Sequence, residues 1–525
     1  MKYSSFRVDE ANFDTSRKSI EDNGGWWVRF GDEVLTYAAN NRWSGVETTV
    51  GAENRSARQP AGDVRKGDMH LVVQKGRTFQ LEHPDVEVIF DRGRYLVVSL
   101  TKDEADKLGD RDDVCFHIEP LSENEVVFRT ATTARSAQAD TGAAAEVVAR
   151  VDRAVFEANI AQLVSYPTRF STSPSYAEAA EWCRGQLDAL GFDTTLQEVD
   201  VPGVGASSNV VAVRAGVGMG GRDNVIVVAH LDSVNHPGGP DSAAPGADDN
   251  ASGSAGLLTL AAAVQGHEFV HDLTLILVGG EEQGLHGSTQ YLNGLDPAER
   301  ERIRAVLNMD MIGSVNSNPA SVLLEGHPIS QSQIDMLAQS AANFTPLTVQ
   351  TSLNPFASDH VPFIEAGIPA VLTIEGADGA NGAIHTANDT LDKIDAGFAT
   401  EILKMNAGYL AEEAGAVKQT APVGYQEPPG QTPSPYAAPP QVPPPFAPPP
   451  QPHPVPAGPD PAQLARDLAF HYQALFAQYA RLGRDGRLSA QDYGQWQSSH
   501  ATFEALTHYA KAAGGGCGCG CGGCS

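Results

Sequence analysis

Five short segments, each setting a His, Asp or Glu among small residues, occur in order along the middle of the chain: AHLDS (229–233), GADDNASG (246–253), GGEEQG (279–284), NMDMIG (308–313) and HTANDT (385–390). Each lies where an apolar run ends or a helical pattern begins. Five such segments in one domain-sized stretch constrain the fold to one whose strand ends converge. Metal chemistry explains the residue types. Zinc takes imidazole nitrogen and carboxylate oxygen at about 2.0–2.2 Å, and a catalytic zinc keeps one position open for water. Two ions about 3.5–4 Å apart can share that water and clamp the developing charge. Ions that close need an anionic bridge. Two imidazoles and three carboxylates, one of them bridging, satisfy two sites. The chain offers His230, Asp249, Glu282, Asp310 and His385, and leaves Glu281 beside a ligand and free as a general base.

The surrounding pattern is α/β. The runs NVVAVRA, NVIVVAH, LTLILVGG, AVLNMD, SVLLEG and IPAVLTI are rich in Val, Ile and Leu and predict buried central strands. Helical periodicity covers 150–165, 176–190, 252–265, 329–343 and 396–417. Alternation of the two predicts a three-layer sandwich with a mixed, mostly parallel sheet. The candidate ligands then fall at strand carboxyl ends, where open α/β sheets carry their sites.

These segments, over residues 150–418, resemble the zinc aminopeptidase family of co-catalytic di-zinc exopeptidases, peptidase family M28. The resemblance implies a zinc-exopeptidase-like fold and two Zn²⁺ ions, with other divalent metals as substitutes. It assigns His230 and Asp310 to one metal, Glu282 and His385 to the other, and Asp249 to the bridge, with Asp248 as the fallback. It implies a cis peptide after Asp249. Asp232 would accept the second imidazole N–H of His230. Glu281 would take a proton from a metal-bridging water and deliver it to the leaving amine. The implied activity is aminopeptidase, a hydrolase acting on peptides. A di-zinc carboxypeptidase or amidase of the same fold, and an inactive peptidase-like binding domain, are the alternatives. One position departs: several relatives carry a Tyr before the last His ligand, and this chain has Ile384. Ser358-Asp359-His360 is no catalytic triad, because consecutive residues cannot fold into that geometry; it reads as support, with His360 a candidate substrate contact. His286 reads as helix surface or as support rather than as a ligand.

The formal net charge of −29 over 525 residues argues against a nucleic-acid partner, which would require Lys and Arg. No run of about 18 apolar residues exists, so no membrane insertion is expected. The N-terminus carries no apolar signal region, which makes the cytoplasm the default expectation although many members of the resembled family are secreted. Residues 1–145 have strand-like runs and one short acidic-capped helix, read as an accessory α+β domain with a weak likeness to inhibitory propeptides. Residues 419–461 form a Pro-rich linker. Residues 462–513 read as a helical hairpin, and 514–525 as a Cys/Gly tail holding four of the six cysteines. The linker and hairpin are candidates for protein contacts or dimerisation. Cys183 is expected to be a buried small hydrophobe.

Overall fold

The computed structural model describes residues 1–417 apart from 9, 47–61, 66, 110–114 and 138–141. The predicted Pro-rich linker, helical hairpin and Cys/Gly tail lie outside the described residues. Seventeen strands are present among the described residues. The first nine are β1 (Lys2–Arg7), β2 (Trp26–Phe30), β3 (Glu33–Ala38), β4 (Gly62–Asp63), β5 (Met69–Gln74), β6 (Glu87–Arg92), β7 (Tyr95–Ser99), β8 (Phe116–Pro120) and β9 (Glu125–Thr130). The remaining eight are β10 (Asp193–Val201), β11 (Gly205–Arg214), β12 (Asn224–His230), β13 (Asp272–Val278), β14 (Ile303–Met309), β15 (Ser321–Glu325), β16 (Thr348–Ser352) and β17 (Ala370–Glu375). Thirteen of them form one sheet in the order β10-β11-β13-β12-β14-β17-β15-β16-β9-β2-β3-β1-β4. The other four make an antiparallel sheet, β6-β7-β5-β8.

The centre of the large sheet is parallel: β12 pairs with β13 from Asn224↔Asp272 to His230↔Val278, and β14 and β17 follow in the same direction. Side chains alternate between the two faces of a strand. Val225, Val227 and Ala229 join the larger apolar cluster, and Ile226 and Val228 join another on the opposite face. Both faces are therefore covered, which explains why these strands read as continuous apolar runs. Helices 153–164, 174–189, 253–263, 331–344 and 396–413 contribute to the first cluster. Helices 286–294 and 360–365 contribute to the second. Local signals set the helix starts. Ser173 accepts from Tyr176 N–H ahead of Pro174, and Asp395 accepts from Phe398 N–H. Cys183 is fully buried.

The sheet does not stop at the expected 145–150 boundary. Strand β9 pairs antiparallel with β16 and parallel with β2, so it is laddered to both halves. A single apolar cluster joins Leu71, Val73, Tyr95 and Val97 to Met311, Leu323, Leu372, Ile374 and Ile384. No described helix is long and apolar enough to cross a membrane.

Candidate metal centre

Three carboxyl ends of parallel strands and two loops supply the site. His230 is the last residue of β12, Asp310 follows β14, and Glu281 and Glu282 lie just past β13. Asp249 lies in a π-helical turn, Ala247–Ser252, that opens helix 253–263. Its peptide to Asn250 is cis. Gly246 begins this turn at φ 52°, where an added Cβ would meet Ser233 and Arg169; the left-handed backbone and close packing together call for glycine. The Asn250 amide donates to Met309 C=O (3.0 Å) and its Oδ1 accepts from Met311 N–H (3.2 Å), tying the Asp249 turn to the Asp310 loop. Asp389, from the same segment as His385, accepts from the N–H groups of Asp248 and Asp249 at 2.9 and 3.0 Å.

The five candidate ligands converge. His230 Nε2 lies 3.1 Å from Asp249 Oδ1 and 3.3 Å from Asp310 Oδ1. His385 Nε2 lies 3.0 Å from Asp249 Oδ2 and 3.2 Å from Glu282 Oε2. Each oxygen of Asp249 thus faces a different His–carboxylate pair. Ligand atoms about 2.0–2.2 Å from a tetrahedral ion stand roughly 3.3–3.6 Å apart; the observed 3.0–3.3 Å is at or just short of that spacing, and the imidazole and carboxylate donors are of the type zinc takes. Among the described residues, both Asp249 oxygens and both His385 ring nitrogens are buried with no hydrogen bond beyond these close imidazole–carboxylate approaches and the contact of Asp249 Oδ1 with Lys75. Asp248 is committed elsewhere, accepting from Gly313 N–H and Asn381 Nδ2 at 2.9 and 2.8 Å. Glu281 Oε2 is 3.9 Å from His230 Nε2, adjacent to the ligand cluster.

Asp232 stands behind the site. Its Oδ1 is 3.6 Å from His230 Nδ1, whereas its own backbone carbonyl is nearer, at 3.3 Å. Its carboxylate accepts from Glu281 N–H (3.4 Å), Glu282 N–H (3.2 Å) and Ser171 Oγ (2.9 Å), which orients the two glutamates. Ser358 Oγ donates to Asp310 Oδ2 at 2.7 Å and accepts from Asn308 Nδ2 at 2.8 Å, so it supports a candidate ligand. His360 is fully buried, with Glu325 3.6 Å away. His286 starts helix 286–294 and belongs to none of the described metal-competent clusters.

Three participants carried no legible signal. Lys75, at the end of β5, places its ammonium 3.3 Å from Asp249 Oδ1, 3.2 Å from Asp310 Oδ2 and 3.4 Å from Glu281 Oε1. Cys115, before β8, lies with His236 and His385 in a cluster whose ligand atoms are within 4.8 Å of one another. Arg169, fully buried, donates to the carbonyls of Leu231, Leu163, Pro245 and Gly246 and fixes the two loops that carry His230 and Asp249.

Electrostatics follow from burial and crowding. Burial pushes Glu281 well above the usual carboxylate range, against the pull of Lys75 and His230. Burial alone would lower His230, but Glu281 and Asp310 outweigh it and hold the imidazole well above its ordinary value. Asp310 resists burial and sits low, at about 2, under the charges of Lys75 and His230. Burial raises the Cys115 thiol, and His385 and His236 draw it back down to about 7.

The architecture is an α/β three-layer sandwich with imidazoles and carboxylates gathered at parallel strand ends. The sequence profile of Peptidase family M28 matches residues 209–410. The leupeptin-inactivating enzyme 1 of Streptomyces exfoliatus is 30% identical over 329 residues, covering 58% of this chain and 70% of that protein. A probable leucine aminopeptidase of Arthroderma benhamiae is 30% identical over 266 residues, covering 49% and 72%. The chain belongs to peptidase family M28. Among solved structures, a zinc aminopeptidase of Bacillus subtilis superimposes with a TM-score of 0.45 and 16% identity, over 53% of this chain and 96% of that one.

Proposed function

We propose that this protein is a metal-dependent aminopeptidase that removes N-terminal residues from peptides, with two zinc ions held by His230, Asp249, Glu282, Asp310 and His385. The observation that carries the reading is Asp249, whose two buried oxygens face separate His–carboxylate pairs. When bound, divalent ions at such ligands polarise the scissile carbonyl and make water nucleophilic at neutral pH. Glu281, buried and oriented through its N–H by Asp232, takes the proton of the attacking water and hands it to the leaving amine. Ser358 and Asn250 keep the Asp310 side of the site in register. The relatives named as leucine aminopeptidases make leucyl substrates the first choice for assay.

A carboxypeptidase or amidase of the same fold would need a cation to hold a substrate carboxylate. Lys75 is the candidate, its ammonium 3.2–3.4 Å from Asp249, Asp310 and Glu281, and parallel assays on aminoacyl substrates and on peptides with free C-termini separate the two readings. The deciding variant is Glu281→Gln, which keeps the shape and removes the basicity. It should retain metal and lose roughly 10²–10⁴-fold in turnover of leucyl substrates. Near-wild-type turnover with metal intact would remove Glu281 from the role of base. A wild-type protein without stoichiometric zinc, cobalt or manganese would remove the metal reading itself.

A further inference from the structure

Lys75 belongs to the part of the chain most remote in sequence from the ligands, 206 residues before Glu281, yet its side chain is only 3% exposed and ends among their carboxylates. The loop that presents it is built for the purpose. Lys75 N–H donates to Cys115 C=O at 2.9 Å, and Thr78 Oγ1 donates to Lys75 C=O at 2.7 Å. Gly76 follows at φ 56°, with its N–H on Asp378 Oδ2 at 3.3 Å. A Cβ on Gly76 would run into the side chain of Ile384, the residue next to His385. Asp378 is held in turn by Arg94 at 3.2 Å. Backbone, turn and anchor therefore all fix the direction in which the Lys75 side chain leaves β5.

The destination matters more than the burial. The ammonium lies within 3.4 Å of Asp249, Asp310 and Glu281 together, two candidate ligands and the candidate base. Its partner on Asp249 is Oδ1, the oxygen that also faces His230; on Asp310 it meets Oδ2, with His230 on Oδ1. A dication bound to those oxygens would stand within a few ångströms of the ammonium, and charges of like sign repel strongly in a buried site. A lysine ammonium is a point charge on a flexible four-carbon stem, so it can be driven out without moving its backbone. We propose that Lys75 is an internal cation that competes with divalent metal for Asp249 and Asp310, so that the N-terminal part of the chain sets how readily the centre takes up its ions. The inference rests on the two-metal reading above, and adds to it a residue outside the ligand set.

The test uses the full chain and zinc alone, titrated against a chromophoric chelator. Lys75→Met keeps the stem and removes the charge. It should bind the first zinc at least tenfold more tightly than wild type, and its melting temperature should rise more on zinc addition. Without added metal it should melt below wild type, because the clustered carboxylates have lost their ammonium. Equal or weaker zinc affinity would overturn the proposal while leaving the two-metal reading intact. A fall in turnover at unchanged zinc affinity would also overturn it, placing Lys75 on the substrate. Absence of zinc binding by wild type and variant alike would overturn both readings. A second measurement needs no variant: amine acylation of the wild type, mapped by mass spectrometry, should label Lys75 faster once zinc is added. An unchanged labelling rate would refute the displacement.

Discussion

Replacing Arg94 by Met is the most demanding test of how the two halves of the described fold are joined. Arg94 ends the turn before β7 and is buried, with its side chain 2% exposed. Its guanidinium makes a two-pronged contact with Glu325 on β15, at 3.0 Å from both Nε and Nη2. It also donates to Asp378 (3.2 Å) and to Phe356 C=O (3.0 Å). Methionine fills much of the stem volume but leaves the Glu325 and Asp378 carboxylates buried without their guanidinium. Breaking a buried ion pair from one side costs about 3–5 kcal/mol, a large part of the roughly 5–15 kcal/mol that holds a domain folded. Urea denaturation in a Trp182→Phe/Trp496→Phe background, whose remaining tryptophans Trp26, Trp27 and Trp43 all lie in the N-terminal part, followed by fluorescence for that part and by far-ultraviolet circular dichroism for the whole, reads the change. Both probes should move to lower urea together, because β9 ladders the halves into one sheet. A loss below about 1 kcal/mol, or separation of the two probes in the wild type, would refute the idea that this cluster fastens the halves.

Two further outcomes follow from the buried charges. Burial raises Glu325, but Arg94 outweighs it and holds the carboxyl at about 2, against an ordinary 4.5; that difference is worth about 3 kcal/mol of stability at neutral pH. A lowered folded value means that stability is present above pH 4.5 and is lost as pH falls toward 2, so the stability gap between wild type and Arg94→Met should narrow over that window, and a gap independent of pH would contradict the assignment. Cys115, drawn to about 7 against the effect of burial, should be alkylated by iodoacetamide in the native protein; Cys183, which burial pushes up, should react only after unfolding, and peptide mapping that finds the reverse order would refute the placement.

Legibility in the sequence divides along a physical line. The central strands were readable because burial on both faces demands apolar residues throughout, as in NVIVVAH. Helices 174–189 and 396–413 were readable from periodicity, and Ser173-Pro174 and Asp395 mark their starts. The five candidate ligands were readable because metal chemistry restricts residue type and the strand ends restrict position. Choosing Asp249 over Asp248 rested on the family resemblance; in the structure the two carboxylates have different partners, Gly313 N–H and Asn381 for Asp248, His230 and His385 for Asp249. Lys75, Cys115 and Arg169 were not readable. Their roles depend on which distant loops meet, and a lysine after MHLVVQ looks the same whether it faces water or a carboxylate cluster. The continuity of the sheet was hidden for a similar reason: β9 meets β16 through two residue pairs, Gln350↔Thr130 and Thr351↔Arg129, too few to leave a pattern in either strand.

The position of β9 has a consequence for proteolysis. It is the last strand before the segment that leads to helix 153–164, yet it is hydrogen-bonded on both edges. Ala131 N–H also donates to Val349 C=O, and Ser352 Oγ to Val127 C=O. The covalent link after Ala131 is therefore not what keeps the first 130 residues in place. A protease that cut the chain between Ala131 and Asp152 would produce two polypeptides that still co-migrate through a sizing column and part only in denaturant. The nicked protein would keep Lys75 in the centre, and the cut would be visible on a denaturing gel without being felt at the site.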